Sequence, residues 1–340
     1  MSGQKISIED RYSRPLKDLR ISVTDRCNFR CPYCMPAEVY GERYKFIPRK
    51  ELLTFEEIVR ITSILVDLGV EKVRITGGEP LVRQDVDKLI AMISEVEGIN
   101  DLAMTTNAYL LKGFVKKLKN AGLKRITVSL DSLDENVFQE MNGRGFGTAK
   151  VLDGISAASE AGLDPIKINA VVKKGVNDHT LIDLARWCRE KGYIPRFIEY
   201  MDVGTLNGWK LNEVVSSKDV VARIGEVFPL EKDAPSYRGE VAKKYRYIDG
   251  KGEFGVISSV SQPFCGDCTR LRLTPEGMVV TCLFGEKGTD LRGPIREGGT
   301  NEDLRNMLMG IWNKRQDRYS ELRTKMTKPS EKVEMYHIGG

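Results

Sequence analysis

Residues 19–34 read Leu-Arg-Ile-Ser-Val-Thr-Asp-Arg-Cys-Asn-Phe-Arg-Cys-Pro-Tyr-Cys, and this stretch decides the fold. Leu19–Thr24 reads as a strand, and Cys27, Cys31 and Cys34 follow it in one short loop. Alternating strand–helix folds place their active sites in such loops, at the carboxyl ends of parallel strands. The spacing lets one loop wrap three corners of an iron–sulfur cube and leave the fourth iron free. A second triplet lies far along the chain, Cys265-x2-Cys268 with Cys282. Three thiolates are one fewer than a four-coordinate cysteine site uses. Each triplet thus leaves a position that the protein does not fill, and an open position is where a metal site does chemistry. A structural zinc site would need a distant fourth ligand, and His179 and His337 are the only histidines. Cys188, in a helical stretch with Leu184 and Trp187, reads as core filler.

Outward from this loop the chain alternates strand and helix. Thr54 opens a helix with Glu57 three residues on, a capping box, and Gly69 ends it. Further strands are expected at 73–76, 102–106, 126–130, 166–172 and 196–201. Helices are expected after residue 85 (Val86, Leu89, Ile90, Ile93) and around 112–121, 148–161 and 179–191. Six βα units mean a parallel sheet with helical crossovers. Six are fewer than the eight of a complete barrel, so the expectation is a partial (β/α)6 TIM-like barrel over residues 1–202. After Asp202 the pattern changes to a loop over 203–216, a helix at 217–227 and strands over 241–283 turning at Asp249-Gly250 and Glu276-Gly277. A last helix is expected near 302–318, so residues 203–340 read as an α+β extension carrying the second cysteine site.

With 41% hydrophobic and 30% charged residues among 340, the chain reads as an ordinary soluble globular protein. A net charge of +5 permits an anionic substrate and is too mild to argue for nucleic acid. Residues 1–20 are charged every few positions, and no apolar run is long enough for a membrane span. A cytoplasmic protein is expected, where clustered cysteines point to metal before disulfides.

Gly77-Gly78-Glu79-Pro80 follows the second strand in the matching loop, where glycines allow close backbone approach and a carboxylate can receive an ammonium group. The cysteine spacing with this loop resembles the radical S-adenosylmethionine enzymes. More narrowly, residues 22–35, 75–83, 129–133, 199–204 and 264–273 and the final Gly-Gly look like the GTP 3′,8-cyclase family, in the same order along the chain. The resemblance implies two [4Fe-4S] clusters, one on Cys27, Cys31 and Cys34 whose free iron binds S-adenosylmethionine. The other, on Cys265, Cys268 and Cys282, has a free iron that meets the guanine of GTP. It further implies Tyr33, Gly78, Glu79, Ser129 and Met201 around S-adenosylmethionine, and Arg20, Arg74, Thr105, Lys167, Arg270, Leu271 and Arg272 around GTP. Arg270 and Arg272, at strand spacing and so on one face, suit a triphosphate and are expected to matter for catalysis.

The implied activity is conversion of GTP to 3′,8-cyclo-7,8-dihydro-GTP, the first step of molybdenum cofactor biosynthesis. The implied partners are a one-electron reductant of flavodoxin or ferredoxin type and the downstream cyclic pyranopterin monophosphate synthase. Neither nucleic acid nor membrane is expected, and a homodimer is compatible with the resemblance. Gly339-Gly340 is expected to reach into the active site. One departure stands out: the family commonly has glycine after Thr105-Thr106-Asn107, and this chain has Ala108. A rival radical enzyme such as a peptide maturase would bring more cysteines in its C-terminal part. A zinc or nucleic-acid module would bring a fourth ligand at each site and a basic stripe.

Overall fold

The computed structural model describes residues 6–237, 239–323 and 332–339. The first part of the chain runs β1 (Asp18–Ser22), α1 (Phe55–Asp67), β2 (Lys72–Thr76), α2 (Val86–Ser94), β3 (Asp101–Thr106), α3 (Val115–Asn120) and β4 (Arg125–Ser129). It continues through α4 (Glu135–Asn142), α5 (Ala149–Glu160), β5 (Ile166–Val172), α6 (Leu181–Lys191) and β6 (Ile194–Glu199). Strands β1 to β6 pair in sequence order and all in parallel. The expected capping box closes α1: the Glu57 amide donates to Thr54 Oγ1 at 3.1 Å and the Thr54 amide to Glu57 Oε2 at 2.8 Å. Helix α4 has too few apolar residues for a periodic signal and was not expected. It forms because the Asp134 side chain caps two amides and Gly143, at φ 60°, ends it.

The remaining elements are α7 (Ser217–Val227), β7 (Leu230–Lys232), β8 (Lys243–Tyr247), β9 (Glu253–Ile257), β10 (Arg270–Leu273), β11 (Met278–Val280) and β12 (Thr289–Asp290). They are followed by α8 (Arg292–Arg296), α9 (Asn301–Asn313), α10 (Tyr319–Leu322) and α11 (Met335–Ile338). The long C-terminal helix thus ends at Asn313, short of the expected 318. The strands of this part do not form a sheet of their own. β9 joins β6 in parallel at one edge, and β10 joins β1 in parallel at the other. The result is a run of eight parallel strands, β10-β1-β2-β3-β4-β5-β6-β9, with the hairpin partners β11–β12 and β8–β7 outside. Among the described residues β9 and β10 do not pair, so the barrel is partial, as expected. Residues 258–269, which carry Cys265 and Cys268, cross between those two edges.

Strand alternation separates core from bore. Leu19, Ile21, Val73, Ile75, Leu271 and Leu273 are buried in the hydrophobic core. Their neighbours Arg20, Arg74 and Arg272 face the other way, and Arg20 lies in register with both. No helix among the described residues is long and apolar enough to cross a membrane.

Candidate active site

The first cysteine loop leaves the carboxyl end of β1 and is built around the buried Arg30. Its Nη1 donates to the carbonyls of Cys27 (2.8 Å) and Phe29 (2.7 Å), and its Nε to that of Tyr40 (2.6 Å). A guanidinium fork thereby gathers three carbonyls of a loop with no regular structure to satisfy them. Phe29 anchors the loop from beneath, edge-on to Tyr109 and Phe138. Gly78 must be glycine here: a Cβ would sit 2.4 Å from the Arg26 carbonyl oxygen.

Cys27, Cys31, Cys34, Tyr33, Gly78, Glu79, Ser129 and Met201 all line one cavity. Glu79 is fully buried there, with Oε1 accepting from Thr106 Oγ1 (2.7 Å) and Oε2 from the Asn107 amide (2.7 Å). Burial pushes its carboxyl up to about 7. The Tyr33 hydroxyl donates to Asp131 Oδ2 at 2.8 Å, and Asp131 Oδ1 accepts from the Val171 amide at 2.8 Å. Burial lifts Asp131 to about 6. Asp131 and Asn107 were missed by the sequence reading. Asn107 sat in view, next to Thr105-Thr106, whereas Asp131 is an acid in a turn with no spacing signal.

The second triplet stands at the opposite end of the bore. Cys265 and Cys268 precede β10, and Cys282 follows β11, its antiparallel partner. β1, between the two triplets, is five residues long, a rise of roughly 17 Å. Cys265, Cys268 and Cys282 line a second cavity together with Arg20, Arg74, Thr105, Lys167, Arg270 and Arg272. Leu271 differs from its neighbours: alternation along β10 sends its side chain into the hydrophobic core, so only its backbone lies between Arg270 and Arg272. Asn169, on the bore face two residues after Lys167, and Arg196 also line the cavity and were missed. Arg74 Nη1 donates to Thr105 Oγ1 (3.1 Å) and Thr127 Oγ1 (3.0 Å), and Arg196 Nη2 to Thr127 Oγ1 (3.1 Å).

Charge in this cavity is predominantly positive, its arginines and lysines outnumbering Asp18, Asp101, Glu240, Glu253 and Asp317. Burial, and then the neighbouring cations, hold Lys167 down to about 8, Arg272 to about 9 and Arg196 to about 9. Arg20 is held well below its ordinary range for the same reasons. Such crowding is costly without a polyanion to receive it.

Both triplets fit iron–sulfur clusters. Their donors are free thiols only, lining cavity walls, which is the donor set that such clusters take. Burial pushes the Cys27 thiol up to about 12 and the Cys31 thiol far up, so bound iron is what ionises them. Cys268 differs. Burial alone would raise it, but Arg270 and Arg315 overcome that and bring it to about 6.

The two cavities adjoin: Thr105, Asn169, Ile198, Met201 and Leu283 line both. Residues 332–339 close one side. Tyr336 packs on Met35 and Tyr40 beside the first cysteine loop. The Gly339 carbonyl accepts from Arg272, and Gly339 is buried against Thr76. Gly340 lies outside the described residues. Ala108 holds φ 59°, the left-handed backbone in which glycine is at ease.

Residues 21–188 match the model of the Radical SAM superfamily, and residues 194–321 that of Molybdenum Cofactor Synthesis C. The chain is 48% identical to the GTP 3′,8-cyclase of Acidothermus cellulolyticus, over 98% of this chain and 99% of that one. It is 47% identical to the GTP 3′,8-cyclase of Staphylococcus epidermidis, with the same coverage. Among solved structures, Streptococcus suis SuiB bound to S-adenosylmethionine shares the fold, with a TM-score of 0.61 at 19% identity over 94% of this chain and 70% of that one. Native anSMEcpe with bound AdoMet and Cp18Cys peptide does so with a TM-score of 0.56 at 14% identity, covering 94% and 93%. Thiol triplets at both ends of an arginine-lined bore, with full-length relatives of one kind, place the chain in the GTP 3′,8-cyclase family of the radical S-adenosylmethionine enzymes.

Proposed function

We propose that this chain is a lyase that converts GTP to (8S)-3′,8-cyclo-7,8-dihydroguanosine 5′-triphosphate, the first step of molybdenum cofactor biosynthesis. The observation that carries this reading is the junction of the two cavities through Thr105, Asn169, Ile198, Met201 and Leu283. Two ligands bound one in each cavity meet there. Its cofactors are S-adenosylmethionine and two [4Fe-4S] clusters. When bound, the first cluster and S-adenosylmethionine would supply a 5′-deoxyadenosyl radical able to take the ribose H3′ of GTP; closure of C3′ onto guanine C8 must then take up one electron and one proton to give the 7,8-dihydro product, and the second cluster would be the source of that electron.

In this reading the protein binds, orients and excludes water. Cys27, Cys31 and Cys34 hold one cluster, and Cys265, Cys268 and Cys282 the other. Gly78 gives the backbone room, and the Glu79 carboxylate receives the methionine ammonium. Tyr33 and Met201 flank the adenine, and Ser129 meets the carboxylate or ribose. Arg20, Arg74, Thr105, Lys167, Arg270 and Arg272 hold the triphosphate and ribose, with Arg270 and Arg272 the groups whose loss costs turnover most. Residues 1–202 form the radical S-adenosylmethionine partial barrel and also give Arg20, Arg74, Thr105 and Lys167 to GTP, while residues 203–340 carry the second cluster, Arg270, Arg272 and the Gly-Gly tail. Reductive cleavage of a sulfonium consumes an electron, so a one-electron donor of flavodoxin or ferredoxin type is the expected partner in the cytoplasm. The product passes to a cyclic pyranopterin monophosphate synthase.

The test is anaerobic protein given reductant, S-adenosylmethionine and GTP, with the cyclic nucleotide sought by mass spectrometry. Iron analysis accompanies it: about eight irons per chain are expected, and about four after Cys31→Ala or Cys268→Ala. A colourless protein without iron, or GTP recovered unchanged by the iron-loaded protein, sinks the reading.

A further inference from the structure

Arg14 and Arg315 have no part in the reading above, yet both are buried beside the second cysteine triplet. They arrive from opposite ends of the sequence, Arg14 ahead of β1 and Arg315 just after α9. They share one fully buried carboxylate. Asp10 Oδ2 accepts from Arg14 Nε at 2.6 Å and from Arg315 Nη1 at 3.4 Å. Each then grips one cysteine of the turn. Arg14 Nη1 donates to the Cys265 carbonyl at 2.7 Å, and Arg315 Nη1 to the Cys268 carbonyl at 2.7 Å. Arg315 also reaches sulfur, with Nη2 donating to Cys268 Sγ at 3.2 Å. Trp312 holds both arginines in place: its ring lies 4.5 Å from the Arg315 guanidinium carbon, and its Nε1 donates to the Arg14 carbonyl at 3.1 Å.

Arg315 Nε also donates to Asp317 Oδ2 at 3.3 Å, so the two guanidiniums are met by one fully buried carboxylate and one that is partly exposed. Of the two, only Arg315 is bonded to a sulfur. A hydrogen bond from a cation to a ligand sulfur favours the reduced, more negative state of an iron–sulfur centre.

We infer that Arg315 is a positioning residue of the second cluster: with Asp10 and Arg14 it fixes the Cys265–Cys268 turn, and its bond to the Cys268 sulfur raises the reduction potential of the cluster held there. The inference rests on the reading of Cys265, Cys268 and Cys282 as cluster ligands. Arg14 grips the same turn through the Cys265 carbonyl oxygen, and its other carbonyl acceptor is that of Asp317, so it is the internal control.

The experiment uses full-length protein with Cys27→Ala, Cys31→Ala and Cys34→Ala, which retains only the second site. Iron content and an EPR-monitored redox titration are measured before and after Arg315→Gln, Arg315→Lys and Arg14→Lys. The expected result is a midpoint more negative in both Arg315 variants and unmoved in Arg14→Lys. A midpoint unmoved in an iron-loaded Arg315 variant overturns the inference. If neither Arg315 variant holds iron, the melting temperature of the iron-free protein decides. An unchanged value supports the clamp on the turn, and a lowered one assigns Arg315 to the core and overturns it. A parent protein that takes up no iron sinks the reading of the second triplet instead.

Discussion

Arg272 Nη1 donates to the Gly339 carbonyl oxygen at 3.0 Å, joining the middle of the barrel bore to the last described residues of the chain. The approach is held along its length. Glu334 Oε1 accepts from the Thr205 amide (2.8 Å) and hydroxyl (2.9 Å), and the Tyr44 and Tyr336 hydroxyls are 2.9 Å apart. Residues 332–339 therefore bridge the two cavities from outside: Tyr336 lines the one at the first triplet, and Gly339 touches an arginine of the other.

Gly339→Ala tests that bridge. A Cβ there would lie 2.2 Å from Thr76 Oγ1, and the residue takes φ +64°, a conformation costing alanine about 1–2 kcal/mol. Turnover is expected to fall by about tenfold or more, the equivalent of about 1.4 kcal/mol, with iron content unchanged. Unchanged turnover in the variant would show that the docked tail is dispensable.

Arg272→Ala is expected to weaken GTP binding about 10- to 100-fold, since a buried hydrogen bond to a charged group is worth about 1.5–3 kcal/mol. Arg270→Ala should do the same, with an added effect on the second cluster because Arg270 Nη2 lies 3.5 Å from Cys268 Sγ. Calorimetric titration reads both, with S-adenosylmethionine affinity as the control that should not move.

Lys167 makes GTP binding depend on pH. Burial and then Arg196, Arg125 and Arg74 hold its ammonium down to about 8 in the empty cavity, and a bound polyanion raises it again. The binding-competent charged form is half populated near pH 8 and nearly complete about one unit lower, so affinity should be flat below about pH 7 and fall as pH rises through about 8. Calorimetry near pH 8 in buffers of different ionisation enthalpy should detect proton uptake on binding, and Lys167→Gln should abolish it. Identical heats in all buffers would refute this role.

Ala108 stands where the backbone is left-handed, and it is buried, with its amide donating to Thr106 Oγ1 at 3.0 Å. Ala108→Gly relieves about 1–2 kcal/mol of strain while adding roughly 0.5–1 kcal/mol of unfolded-chain entropy. The net expectation is a small rise in melting temperature. Ala108→Val should lower it clearly, because a β-branched residue tolerates positive φ poorly. A lower melting temperature for the glycine variant than for the parent would contradict this account.

The sequence by itself determined what local spacing encodes. Cys27-x3-Cys31-x2-Cys34 after a strand, the Thr54–Glu57 cap, Gly78 where a side chain has no room, and the period-two run Arg270-Leu271-Arg272 each depend on a few neighbouring residues. The alternation rule should also have put Asn169 on the bore face. Only the tertiary structure decided the rest. β9 and β10 read as hairpin strands, and nothing local says that each also pairs in parallel with a distant edge of the first sheet. That pairing sets the second triplet at the far end of the bore from the first. Arg14 and Arg315, 301 positions apart in sequence, meet at one carboxylate only because β10 lies beside β1 and α9 packs α1. Contacts of that range are fixed by burial and register across the whole fold, and no window of the sequence contains them.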